Sequence, residues 1–190
     1  MFQDLSASNL SELMDRADEV ARDAKQTFGE LNAEQINWKP DPERWSVGQC
    51  FDHLIKSNQS YYLTLEKIVR REKKPTLWER IPSMPAVWGK LLIKSLDPNS
   101  QTRMKAPAIF KPTSSSIDDY VIGRFVEEQG RLIKYMKETS ALDVEKIIIS
   151  SPVSGLITYS LLDCYRILIT HERRHFLQAK RVTEAGAFPR

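Results

Sequence analysis

Four stretches of this chain repeat apolar residues at three- and four-residue spacing, which commits most of it to amphipathic helices packed on one core. The first runs from about Ser8 to Leu31, with Leu10, Leu13, Met14, Ala17, Ala21, Ala24, Phe28 and Leu31 on one face. The second opens at Ser46, and Gln49 three residues on completes a capping box. Trp45, just before that cap, is expected to staple onto Cys50. Val47, Cys50, Phe51, Leu54, Asn58, Tyr61, Leu65 and Ile68 form this helix's inner face, which ends near Arg70. Ser116 and Asp119 have capping-box spacing for a third helix, running to about Glu138 with Ile117, Val121, Phe125, Leu132 and Met136 inward. Ser160 caps a fourth, with Asp163 at its third position, running to about Glu184 before Gly186. The expected fold is all-α: a four-helix bundle, one domain over residues 1–190.

Residues 71–115 interrupt the pattern with six prolines and room for one short helix, Ala86 to Leu96. That is too long for a plain connection, so it reads as an insertion packed over one end of the bundle. Eleven Lys or Arg against three acids lie between Lys67 and Lys111, whereas the whole chain carries only +3. Spread among prolines and apolar residues, these charges suit a solvated insertion, and no nucleic-acid partner is expected. Residues 37–44 read as a proline-broken loop, and 143–158 as extended. No apolar run approaches a membrane span, and the opening MFQDLSASNL lacks a secretory pattern. Two cysteines, Cys50 and Cys164, allow at most one bridge, so a reducing cytoplasm is the expected compartment.

The chemistry rests on three histidines. His171 and His175 stand four apart in the fourth helix, which puts both imidazoles on one face, one turn apart, as shared metal ligands require. At about 100° per residue, His175 falls on the inward stripe with Leu161, Cys164, Leu168, Ala179 and Val182, and His171 on its flank. His53, on the edge of the second helix's stripe, is the candidate third ligand, although that edge equally suits a surface histidine. His171-Glu172-Arg173-Arg174-His175 spells the zinc-peptidase H-E-x-x-H pattern. Only fifteen residues follow, and Arg181 stands where the extended motif needs its last histidine, so the third ligand must come from upstream. Glu172 points into the same stripe. It either faces the metal as a base or pairs with Arg124, which has Glu128 as an alternative partner. Gln178 lies beside His171, as an orienting amide or a plain surface one.

Asn37-Trp38-Lys39-Pro40, then Trp45-Ser46-Val47-Gly48-Gln49 with His53 in the helix that opens there, resembles the DinB/YfiT-like superfamily of metalloenzymes. His171-x-x-x-His175-x-x-Gln178 resembles its last-helix motif, and Ala106 to Pro112 the stretch entering its third helix. The likeness spans about Leu10 to Arg181; the long basic insertion departs from it. It implies an up-and-down bundle, often dimeric, with a divalent metal ion on His53, His171 and His175. Some relatives look like S-transferases or isomerases using a low-molecular-weight thiol such as bacillithiol, mycothiol or glutathione. Three imidazoles leave open positions, at which a thiol or water can be activated. Zinc, nickel, iron and manganese all accept such a set.

Three readings compete. The leading one is a metal-dependent enzyme, a thiol S-transferase or a hydrolase, acting on a small molecule with Glu172 as its base. The second is a non-catalytic metal-binding protein. The third is an adaptor that uses Trp78, Trp88, Leu91, Leu92 and Ile93 as a partner or membrane-surface patch, marked by a continuous exposed apolar face over 86–96.

Overall fold

The computed structural model describes residues 5–81, 84–96, 107, 110–113 and 116–190. Helix α1 (Leu10–Phe28) starts on Asn9, whose side chain and that of Glu12 cap each other's backbone. A short helix the periodicity did not show, α2 (Ala33–Asn37), repeats the device with Asn32 and Gln35. Helix α3 (Val47–Val69) begins on the expected Ser46–Gln49 box. A 3-10 turn (Trp78–Arg80) and helix α4 (Met84–Leu96) occupy the insertion. Residues 97–106, with the basic Arg103 and Lys105, and much of the Ala106–Pro112 stretch lie outside the described residues. Helix α5 (Val121–Thr139), the antiparallel strands β1 (Ile148–Ser151) and β2 (Ser154–Ser160), and helix α6 (Leu161–Thr183) complete the chain.

The molecule is mostly helical with one small hairpin, rather than purely all-α. Helices α1 and α3 each lie against both α5 and α6. The hairpin forms where the extended reading of 143–158 placed it, and it bears α4 on β2. No helix among the described residues is long and apolar enough to cross a membrane.

The third long helix corrects the sequence reading. It starts at Val121 on Tyr120, which gives no side-chain cap, and Ser116 stands exposed before it. Asn37 is the reason: its amide donates to the Ile117 carbonyl (2.8 Å) and its oxygen accepts from the Ile117 N–H (2.7 Å). That grip holds residues 116–118 against the end of α2, so the helix begins a turn late.

The core comes in two halves. One gathers Leu13, Ala17, Tyr61, Leu65, Leu132, Met136, Tyr165 and Leu168; the other Ala24, Phe28, Ile36, Phe51, Leu54, Phe125, Phe176 and Ala179. Along α3, α5 and α6 the change from one half to the other falls at Asn58, Gln129 and Glu172, all fully buried. A polar layer therefore crosses the helices at mid-height.

Gly48 lets α2 and Ile117 close on the first turn of α3. A Cβ there would sit 2.7 Å from Ile36 Cγ2 and 3.0 Å from Ile117 Cβ. Overpacking of this kind costs about 1–3 kcal/mol, against roughly 1 kcal/mol of helix propensity that alanine returns. Gly48→Ala should thus lose about 1 kcal/mol in urea unfolding; an unchanged or raised midpoint would show that α2 is only loosely seated.

Candidate metal centre

The capping box that starts α3 fixes which way His53 points. It sits at the end of the second turn, only 2% exposed, facing His171 and His175 on α6. One donor nitrogen from each of the three rings lies within 4.8 Å of the others. Ring centroids are 4.9 Å apart for His53–His171, 4.7 Å for His53–His175 and 4.6 Å for His171–His175. His53, placed on the edge of its stripe by periodicity, is therefore an interior residue of this cluster. His171 is the partly exposed member of the three.

Hydrogen bonding sets the tautomers. His53 Nδ1 lies 2.5 Å from the Phe110 carbonyl, which can only accept, so Nδ1 carries the proton and Nε2 is bare. That bare Nε2 is 3.0 Å from His171 Nε2. The Nδ1 of His175 is buried with no hydrogen-bond partner, and Gln178 lies beside that ring. Trp45, expected to staple onto Cys50, packs against the core half that includes Cys50, and its ring also stacks on His175 at 5.4 Å and leans on His53 at 4.9 Å, walling the cluster.

Burial depresses all three imidazoles. His53 is lowered chiefly by desolvation. His171 falls well below the histidine range through desolvation, then through His175, His53 and Arg174. Desolvation, His53 and Arg174 push His175 down to about 3. At neutral pH the cluster is three uncharged rings, and His171 meets the bare His53 Nε2 by carrying its own proton on Nε2. An orphaned buried nitrogen and two Nε2 atoms at contact distance fit a divalent cation held by His53, His171 and His175. Among the described residues no cysteine or carboxylate joins the group, so protein donors do not close it.

The insertion braces this end of α3. Asp52 accepts from the Thr113 N–H (2.7 Å) and hydroxyl (2.9 Å), Gln49 donates to the Thr113 carbonyl, and Lys56 bonds the Thr113 hydroxyl. Positions 49, 52, 53 and 56 share one helix face, so one stripe of α3 holds both the insertion and a histidine.

Glu172 pairs with neither Arg124 nor the trio. Its Oε1 accepts from Asn58 Nδ2 (2.7 Å) and Gln129 Nε2 (2.6 Å), and its Oε2 has no partner. Arg124 is exposed, and Glu128 takes Gln59 instead (2.9 Å). Burial raises the Glu172 carboxyl to about 7, against the two amide bonds that lower it. Periodicity marked Asn58 as the one polar member of an apolar stripe, a signal of this partnership. Gln129, Phe110 and the role of Trp45 gave no such signal.

The DinB superfamily model matches residues 16–179, and the chain belongs to that superfamily. It is also similar to the uncharacterized protein YuaE of Bacillus subtilis (strain 168), 26% identical over 158 residues covering 81% of this chain and 86% of that one. No solved structure matches.

Protein made without a histidine tag should carry about one divalent ion per chain, and the His171→Ala, His175→Ala double variant should carry none. Metal content that survives this double change would remove the site. Because the rings stay neutral below the usual histidine pKa of about 6.5, Co²⁺ affinity should hold through pH 6.5 and fall only at lower pH. A fall centred at or above pH 6.5 would mean the rings are not desolvated.

Glu172 gives a linkage of the opposite sign. Its folded pKa lies above its unfolded one, so its contribution is complete below about pH 4.5 and lost as pH rises to about 7. In metal-free protein the stability of wild type relative to Glu172→Gln should drop across that window by on the order of 3 kcal/mol, then level off. A pH-independent difference would contradict a buried, titrating carboxyl.

Proposed function

We propose that this DinB-superfamily chain is a metal-dependent enzyme of the thiol S-transferase type, built on a four-helix-bundle frame with one divalent ion on His53, His171 and His175. The observation that carries the reading is the three-imidazole group itself, uncharged and with no cysteine or carboxylate joining it among the described residues. Structural sites are closed by four protein ligands, whereas this group offers three. A divalent ion there supplies Lewis acidity, favouring the ionised form of a small thiol or of water at neutral pH.

The chain's own residues supply the rest. Arg174 lies close enough to depress His171 and His175, so its charge also favours an anionic thiol beside them. Trp45 presents an apolar wall that excludes water from one side. Cys50 and Cys164 are fully buried, and burial raises both thiols, so the nucleophilic sulfur comes from a second molecule. We assign Glu172 the thiol proton, through the free Oε2 of a carboxyl balanced near neutrality.

A panel of low-molecular-weight thiols with a generic electrophile tests this, using metal-loaded, metal-free and Glu172→Gln protein. Turnover should require metal, and Glu172→Gln should reduce kcat by roughly 10²-fold while keeping the metal. Hydrolysis of a model ester with no thiol reaction would replace the transferase by a hydrolase. Inactivity in both assays, with full metal content, would leave a binding protein.

A further inference from the structure

We propose that the outer face of α4, with the 3-10 turn before it and the hairpin beside it, docks on an anionic lipid surface. Helix α4 sends Ile93 into the core and leaves Val87 (62%) and Leu91 (53%) exposed, with the exposed Lys90 and Lys94. At about 100° per residue these four fall within one arc of roughly 100°. Aliphatic and cationic groups thus share a single outward face, where a soluble helix ordinarily carries polar residues of both signs.

The surroundings extend the pattern. Nine large apolar side chains are exposed among the described residues, and seven of them lie in the 3-10 turn, α4 and the hairpin or the residues bordering them. Leu77, Trp78, Val153 and Leu156 belong to this set. The 3-10 turn packs on both strands and α4 packs on β2, so the apolar groups are concentrated in one part of the surface. From Arg80 to Leu96 there is no acidic residue, while Arg80, Lys90 and Lys94 are basic. Beside the turn, Arg71, Lys73 and Lys146 line a cleft of about 320 Å³ with Ile68 and Leu142, and Lys73 binds Glu79 of the turn (2.7 Å). Lys146 is likewise paired, with Asp143 (2.8 Å), so the positive charge offered to a ligand comes from Arg71, Arg80, Lys90 and Lys94.

Charge decides the occupant. A second copy docked face to face would set this basic surface against another of the same sign, which disfavours self-association. An anionic bilayer accepts both chemistries: aliphatic groups and Trp78 enter the headgroup boundary while lysines reach lipid phosphates. Ser95, at the inner end of α4, accepts from Arg174 (3.2 Å), which places the docking helix one hydrogen bond from the histidine helix.

The test uses the full chain with vesicles of phosphatidylcholine alone and with phosphatidylglycerol added. Co-sedimentation with the anionic vesicles only, weakened by salt and accompanied by a blue shift of tryptophan emission, is expected. Leu91→Glu should weaken it at least tenfold with helical content and metal binding unchanged, and Lys90→Gln and Lys94→Gln should each weaken it roughly fivefold. Absence of vesicle binding, or equal binding to neutral vesicles, would overturn the proposal. So would a dimer that Leu91→Glu dissociates, which makes the face an interface between copies. Poly-glutamate binding as tight as vesicle binding would instead assign it to an acidic protein.

Discussion

A fully buried carboxyl group held by two neutral amides keeps this fold in register. Glu172 sits at zero exposure on α6, and its Oε1 takes one amide from α3 and one from α5. Sliding any of these helices by a turn would leave a buried acceptor or amide alone, at a cost of about 1–3 kcal/mol per group and more for a charge. The apolar halves above and below tolerate repacking far better than this layer does. One residue before Glu172 stands His171 and three after it His175, while Asn58 stands five after His53. The bonds that place Glu172 therefore also bring the three imidazoles level with one another.

How far the sequence revealed this depends on the range of each interaction. Local signals read correctly: the Ser46–Gln49 and Ser160 starts, the i, i+4 histidine pair and the extended stretch at 143–158. The start of α5 did not, because its competitor is Asn37, eighty residues earlier in the chain. Glu172 was legible as an inward carboxylate, but its partners come from two other helices, and charge pairing suggested Arg124 where neutral amides do the holding. Trp45 stands beside a cap box and reads as its staple; its contact with the histidines comes only from the packing of α6 against α3, which the local pattern does not carry. The apolar residues of 86–96 divide between inside and outside for a similar reason. Ile93 packs into the core and Leu92 against it, Trp88 is half-buried, and Val87 and Leu91 are left outside.

The last residues of the insertion, expected to pack over one end of the bundle, reach the histidine centre. Phe110 supplies the carbonyl that fixes the His53 tautomer, and Thr113 ties three α3 side chains on the same face. Without the Phe110 carbonyl, the neutral His53 ring is free to protonate either nitrogen, and the bare Nε2 is no longer specified. Loss of those few backbone contacts would loosen the ligand while leaving the helical core intact.

The arrangement of the trio has an energetic direction. His53 and His171 satisfy each other through one shared N–H···N bond at 3.0 Å, which leaves the buried Nδ1 of His175 as the unsatisfied nitrogen of the trio. Adding a proton is no remedy, because desolvation and the neighbouring Arg174 oppose an imidazolium here. A proton therefore competes poorly for a cluster that a divalent cation satisfies with three neutral donors at once. Whatever binds the folded form but not the unfolded one adds its binding free energy to stability. The polar layer thus does two things with one set of bonds: it fixes the helices in register, and it holds the histidines in a geometry that favours a metal ion over a proton.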